Sequence, residues 1–123
     1  MSLELRLVDS KHEGSGVLQG RYNQEDEWGA ICSDEWDIRD SSVACRHLGF
    51  LTRVWNEGAI RRKVGVEPNS TFLTAVGCYG HETQLSQCDL VSDASFNCSG
   101  FPYIECMAGS ISSIIVKSAT SFH

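Results

Sequence analysis

The chain has 123 residues, 41% of them apolar, and a net charge of −6, which bounds it to one globular domain with a modest core. The charge is uneven: Glu25, Asp26, Glu27, Asp34, Glu35, Asp37 and Asp40 stand against Arg39 alone, so one segment carries the whole imbalance. Nucleic acid is thereby excluded as a partner, because binding it needs a basic stripe, and no stretch approaches the ~20 apolar residues that insert across a membrane.

In chain order, Leu3, Leu5 and Leu7 alternate with Glu4 and Arg6, the period of a half-buried strand. Val17 to Tyr22 predicts a second strand, and a polar turn at Asn23-Gln24-Glu25-Asp26 joins it to a third over Trp28 to Cys32. Asp40 is the expected N-cap of a helix over residues 41–48, and Gly49 its left-handed stop. Cys45 lies on the apolar face of that helix beside Ala44 and Leu48. Phe72-Leu73 and Ala75-Val76 suggest a strand running into Cys78, and His81 to Cys88 a short helical turn. Ile111 to Lys117 is a last strand candidate. Strands dominate, with one main helix among them, an α+β pattern.

Six cysteines, Cys32, Cys45, Cys78, Cys88, Cys98 and Cys106, in so short a chain predict a disulfide framework and an oxidising compartment, extracellular or at the cell surface. A zinc site wants close Cys-x-x-Cys pairs, and the gaps here are 12, 32, 9, 9 and 7 residues. Spacing alone leaves 15 pairings open. The opening Met-Ser-Leu-Glu-Leu-Arg has no apolar h-region, so the chain reads as a mature fragment or a module of a longer protein.

Two motifs then carry a resemblance. Trp28-Gly29-Ala30-Ile31-Cys32, Asp34-Glu35-Trp36-Asp37 and Val43-Ala44-Cys45-Arg46-His47-Leu48-Gly49-Phe50 resemble the opening of a scavenger receptor cysteine-rich (SRCR) domain. Cys78-Tyr79-Gly80-His81-Glu82-Thr83-Gln84-Leu85-Ser86-Gln87-Cys88 is similar to that family's Cys-x-Gly-x-Glu-x-x-Leu-x-x-Cys segment. The likeness runs from about Leu5 to Cys106. It implies the three-bridge group, paired Cys32–Cys98, Cys45–Cys106 and Cys78–Cys88, and a curved antiparallel β-sheet cradling the helix. Residues 1–108 are then the SRCR domain, and 109–123 an extension whose Ile111, Ile114, Ile115 and Val116 either pair as an edge strand or dock a neighbouring domain of the parent chain. Trp28 and Trp36 read as packing around Cys32, and Arg46 and Glu82 either as a pair across the core or, taken singly, as solvated charges.

The resemblance also implies a calcium site, and there the chain departs from the family. The family's Cys-Asp-Asp is Cys32-Ser33-Asp34, its Leu-Asp-Asp-Val is Leu73-Thr74-Ala75-Val76, and its last acidic stretch is reduced to Glu105 within Ser99-Gly100-Phe101-Pro102-Tyr103-Ile104-Glu105. Asp34, Glu35 and Asp37 remain as metal candidates, too few for the ~6–8 oxygens a calcium ion gathers. The expectation is a degenerate site and no required cofactor.

Catalysis finds no support: there is no Gly-x-Ser-x-Gly, no phosphate-cradling glycine loop, and no cysteine expected to be free. What remains is a non-catalytic extracellular ligand-binding module for a protein or polyanion. The alternative is a spacer or accessory domain in a multidomain adhesion protein or extracellular enzyme. Two surfaces are candidates. Phe101 and Tyr103 flank Pro102 between the last two cysteines, either exposed as interface anchors or turned inward to fill the core. Arg53, Arg61, Arg62 and Lys63 suit a sulfated or carboxylated partner. Asn69-Ser70-Thr71 is a glycosylation sequon at Asn69, and Asn97-Cys98-Ser99 a weaker one.

Overall fold

A computed structural model describes residues 2–8, 14–54, 60–61, 71–93, 95 and 98–110. Strands β1 (Glu4–Val8), β2 (Ser15–Arg21) and β3 (Gly29–Ile31) lead into helix α1 (Ile38–His47). Strands β4 (Phe50–Val54), β5 (Ile60–Arg61), β6 (Thr71–Leu73) and β7 (Ala75–Gly77) follow. A 3-10 turn at Leu85–Gln87 precedes β8 (Asp89–Val91) and the long β9 (Phe101–Ser110).

The main sheet runs β4-β9-β2-β3-β6, with β1 also on β2 and β5 also on β9, and β7 pairs with β8 as a separate ribbon. Only the β3–β6 pairing is parallel among the described strands. The register follows from the alternation of β1: Leu5 faces Gly20 and Leu7 faces Leu18 across the antiparallel pair. This puts the leucines on the core side, where Leu18, Ile31, Val43, Leu73, Leu85 and Ile104 are fully or almost fully buried. Phe72 lies across β2 and β3. A Cβ on Gly29 would come within 2.6 Å of Phe72 Cβ, and one on Gly20 within 2.9 Å of its ring. Glycine there permits a close approach of strands that no side chain would allow.

Three disulfides tie these layers. Cys32–Cys98 anchors the end of β3, Cys45–Cys106 pins α1 to β9, and Cys78–Cys88 closes a short loop. All six cysteines are bridged, in the pairing that the resemblance implied.

The helix begins earlier than its sequence suggests. Asp37, not Asp40, is the N-cap: its Oδ1 accepts from the amides of Arg39 at 2.9 Å and Asp40 at 3.3 Å. Asp40 sits three residues on and returns the bond, its Oδ2 accepting from the Asp37 amide at 2.9 Å. That is a capping box with aspartate in the place usually taken by Glu or Gln, and either acid looks like an N-cap in sequence. The expected stop is present, Gly49 lying at φ +92°.

Two further elements differ. The segment read as one strand into Cys78 divides at Thr74, whose amide and hydroxyl both donate to the Val91 carbonyl, at 2.7 and 3.1 Å. β6 therefore joins the main sheet and β7 the small ribbon. Phe101 to Tyr103 is the start of β9, Tyr103 opposite Val17 and Phe101 opposite Arg61. β9 continues to Ser110. The strand candidate Ile111 to Lys117 lies outside the described residues.

Candidate functional site

The best-built surface feature is the loop closed by Cys78–Cys88, a bridge of sequence separation 10. Its backbone is held from inside. Glu82 is buried, and its carboxylate accepts from the amides of Tyr79 at 3.0 Å and Gly80 at 2.9 Å. These donors, Tyr79 first, bring its pKa down to about 2 against the opposing effect of burial. Arg46 Nη1 reaches from α1 to the carbonyl of Gly80 at 3.2 Å and to that of Glu82. Arg46 and Glu82 are thus neither solvated charges nor a direct pair but two backbone clamps on one loop. Gly80, at φ +115°, makes the sharp turn between them.

The far end of the loop is fixed as well. Gln87 Oε1 accepts from the Thr83 amide at 2.8 Å, the Thr83 hydroxyl at 3.2 Å and the Gln84 amide at 3.1 Å. His47 joins three segments: Nδ1 accepts from the Leu85 amide at 3.0 Å, and Nε2 donates to the Leu3 carbonyl at 3.1 Å. The Nδ1 contact needs the neutral ring, and burial lowers the His47 pKa in that direction, against the Leu3 carbonyl, which raises it.

On this rigid frame stands Tyr79, 77% exposed. Its ring lies near-parallel to that of His81, with centroids 6.0 Å apart and planes 27° apart. Tyr79, His81, Glu82, Thr83 and Gln87 border an open groove of about 470 Å³. In sequence this loop carries the family signature, and Tyr79 was not among the expected contact residues. The signal available was a large aromatic directly beside a cysteine in a short disulfide loop.

The surfaces anticipated from sequence fare differently. Tyr103 is buried and 5% exposed, Pro102 is buried, and Phe101 is half-buried. Tyr103 takes the inward alternative, on β9 opposite Val17 of β2, while Phe101 at the start of the strand stays half-buried. Arg53 and Arg61 contribute backbone to β4 and β5; Arg62, Lys63 and Asn69 lie outside the described residues.

The acidic candidates do not converge. Asp34 is exposed, and its carboxylate accepts from the Ser99 hydroxyl at 2.7 Å and the Ser99 amide at 3.1 Å. The Ser99 hydroxyl is the main cause of its lowered pKa. Asp37 is engaged in capping the helix and in an ion pair with Arg39 at 2.8 Å. Glu35 is exposed. Among the described residues, three potential donors come within 4.8 Å of one another only in Cys32–Asp34–Cys98 and Cys78–Glu82–Cys88, where the sulfurs are bridged. Ser33 is buried, and the Thr74 hydroxyl is spent on Val91. Among the described residues, these acids do not assemble the oxygen shell of a hard cation.

Fold and site together define a disulfide-locked domain that presents a rigid surface loop. Residues 8–106 match the scavenger receptor cysteine-rich domain, and the chain belongs to that family, one of non-catalytic modules. It is 40% identical over 88 residues to lysyl oxidase homolog 2A of Danio rerio, covering 70% of this chain and 11% of that protein. Galectin-3-binding protein of Bos taurus is 33% identical over 95 residues, covering 77% of this chain and 16% of the relative. An SRCR superfamily protein of Patiria pectinifera is 36% identical over 98 residues, covering 78% and 8%. The chain thus spans less than a fifth of the length of these relatives.

Among solved structures, the third SRCR domain of murine neurotrypsin superposes with a TM-score of 0.68 at 26% identity, over 85% of this chain and 96% of that one. The SRCR domain of mouse MARCO, in its dimeric form, gives 0.60 at 33% identity, over 76% and 86%. Three bridges with no free cysteine suit an oxidising setting, extracellular or at the cell surface. No helix among the described residues is long and apolar enough to cross a membrane.

Proposed function

We propose that this domain is a non-catalytic ligand-binding module of a larger extracellular or membrane-anchored protein, and that it recognises its partner through the Tyr79–His81 shelf. One observation carries the reading: a tyrosine exposed to 77% on a loop whose backbone is fixed by a disulfide, a buried carboxylate and an arginine. An aromatic held in place before binding gives contact area at little entropic cost, which is the character of an interface anchor. The same reading requires no calcium, since Asp34 and Asp37 already serve protein donors, and it assigns the domain no catalytic role. A polyanion surface at Arg61, Arg62 and Lys63 is the second reading, favoured by charge.

Interferometry separates the two. The oxidised domain is tested against immobilised heparin and a panel of purified extracellular proteins, as wild type, Tyr79→Ala, and the triple alanine variant of Arg61, Arg62 and Lys63. Loss of a protein interaction in Tyr79→Ala alone is the expected result. Loss of heparin binding in the triple variant alone transfers the function to the basic run. A Tyr79→Ala domain that keeps every interaction sinks the shelf. An accessory role beside a catalytic domain is compatible with the likeness to a lysyl oxidase homolog and describes the parent chain rather than this surface.

A further inference from the structure

We propose that the groove beside Tyr79 takes the ring of a neutral pyranose sugar; this names the ligand class of the shelf and rests on the reading above. The lining points to it. The broad face of Tyr79, with His81 near-parallel at 6.0 Å, is an electron-rich platform that attracts the polarised C–H bonds on the apolar side of a sugar ring. Thr83 and Gln87 border the same groove; with the Thr83 hydroxyl donating to Gln87 Oε1, the lone pairs of that hydroxyl and the Gln87 amide nitrogen are left for sugar hydroxyls. The triple acceptance at Gln87 Oε1 fixes the plane of that amide in advance. Preorganised hydrogen-bonding groups beside an aromatic floor reduce the ordering cost that weakens small polar ligands.

Charge argues for a neutral ligand. The carboxylate in the lining, Glu82, is turned onto the amides of Tyr79 and Gly80, and no lysine or arginine is among the lining residues. Two guanidinium side chains lie beside the loop and both are engaged: Arg46 is directed at the carbonyls of Gly80 and Glu82, and Arg39, whose side chain packs beside Gly80, is paired with Asp37 at 2.8 Å. A sulfated or phosphorylated ligand would meet no lysine in the lining and no guanidinium free of a partner to offset its desolvation. The volume of about 470 Å³ falls within the usual range of small-ligand sites.

The test is saturation-transfer difference NMR on the oxidised domain, with neutral oligosaccharides built from glucose, galactose, mannose, N-acetylglucosamine and N-acetylgalactosamine. The expected result is transfer to the C–H protons of one ring face for at least one sugar, with a Kd of about 1 mM for so open a site. Tyr79→Ala should weaken it at least tenfold, and Tyr79→Phe should retain it. Because Tyr79 is mostly exposed, the alanine variant keeps its fold, verified from its amide spectrum; His81→Ala is a second variant with a partial loss. No transfer from any of the sugars overturns the proposal, as does transfer that Tyr79→Ala leaves intact. If no sugar binds while a protein interaction is lost in Tyr79→Ala, the sugar falls and the shelf stands. If sugars and proteins are both indifferent to Tyr79, both readings fall.

Discussion

Asp40 gives the sharpest test of how the loop and the helix are joined. It is 1% exposed, with Oδ1 accepting from the Cys78 amide at 2.9 Å and Oδ2 from the Asp37 amide at 2.9 Å. Burial outweighs those two bonds and raises its pKa from 3.8 to about 6. A folded pKa above the unfolded one means that its contribution to stability is fully present below pH 3.8 and is lost as pH rises through 6. The full shift corresponds to ~3 kcal/mol, and the half-exposed Asp37 beside it leaves part of the field screened by water, so a swing of about 2 kcal/mol is expected. Asp40→Asn keeps the size, removes the titration and leaves one amide without its acceptor, a cost of about 1–3 kcal/mol. Guanidinium unfolding of both oxidised proteins from pH 4 to 7.5 should show wild type ahead at the acid end. The gap should shrink by about 2 kcal/mol towards pH 7.5. His47 and the distant acids are common to both proteins and cancel in the difference. A gap that does not change with pH would refute the reasoning, since Asp40 would then titrate like an exposed carboxylate.

The two kinds of disulfide should separate stability from binding. Replacing Cys45 and Cys106 by alanine opens a separation of 61 residues and should cost about 4 kcal/mol plus a core cavity, whereas Cys78 and Cys88, separated by 10, should cost about 3 kcal/mol. Denaturant melts give both values, and the second variant should lose more in binding at the Tyr79 shelf than the first at equal folded fraction. Asp37→Ala, by removing the N-cap, should lower stability by about 1 kcal/mol equally in calcium and in chelator. A calcium-dependent rise in Tm of the wild type that disappears in this variant would overturn the capping role as sufficient.

How far the sequence spoke depended on whether a residue's partner was near it in the chain. The leucine alternation of β1, the Gly49 stop and the order of motifs around Cys32, Cys45, Cys78 and Cys88 are local signals, and they located the strands, the helix end and the family. The helix start was misplaced because Asp37 and Asp40 are both good caps, and the choice turns on a reciprocal bond in which each carboxylate serves the other's amide. The inward turn of Tyr103 depends on β2 lying alongside, 86 residues earlier at Val17. The clamped loop under Tyr79 was illegible for the same reason: nothing at Tyr79 says that Arg46, in a helix 33 residues before it, will clamp the carbonyls around it.

The acidic stretch that looked like a remnant cation site has a different economy once its partners are visible. Asp34 takes the amide and hydroxyl of Ser99, next to Cys98. Asp37 takes two amides at the start of α1. Asp40 takes the amide of Cys78 itself, and Glu82, farther along, takes two amides just after that cysteine. Each of these carboxylates satisfies donors that a loop would otherwise leave exposed to competition from water. Three of the four act beside a cysteine that closes a bridge. A carboxylate committed to amides in this way has less lone-pair capacity to offer an ion, and recruiting it to a metal would release the loop it holds. Loss of the family's paired acids at Ser33 and Thr74 and retention of Asp34, Asp37, Asp40 and Glu82 are therefore one pattern. The acids that organise backbone are the ones present, which is consistent with the proposal that recognition lies on the aromatic side of the Cys78–Cys88 loop rather than at a cation.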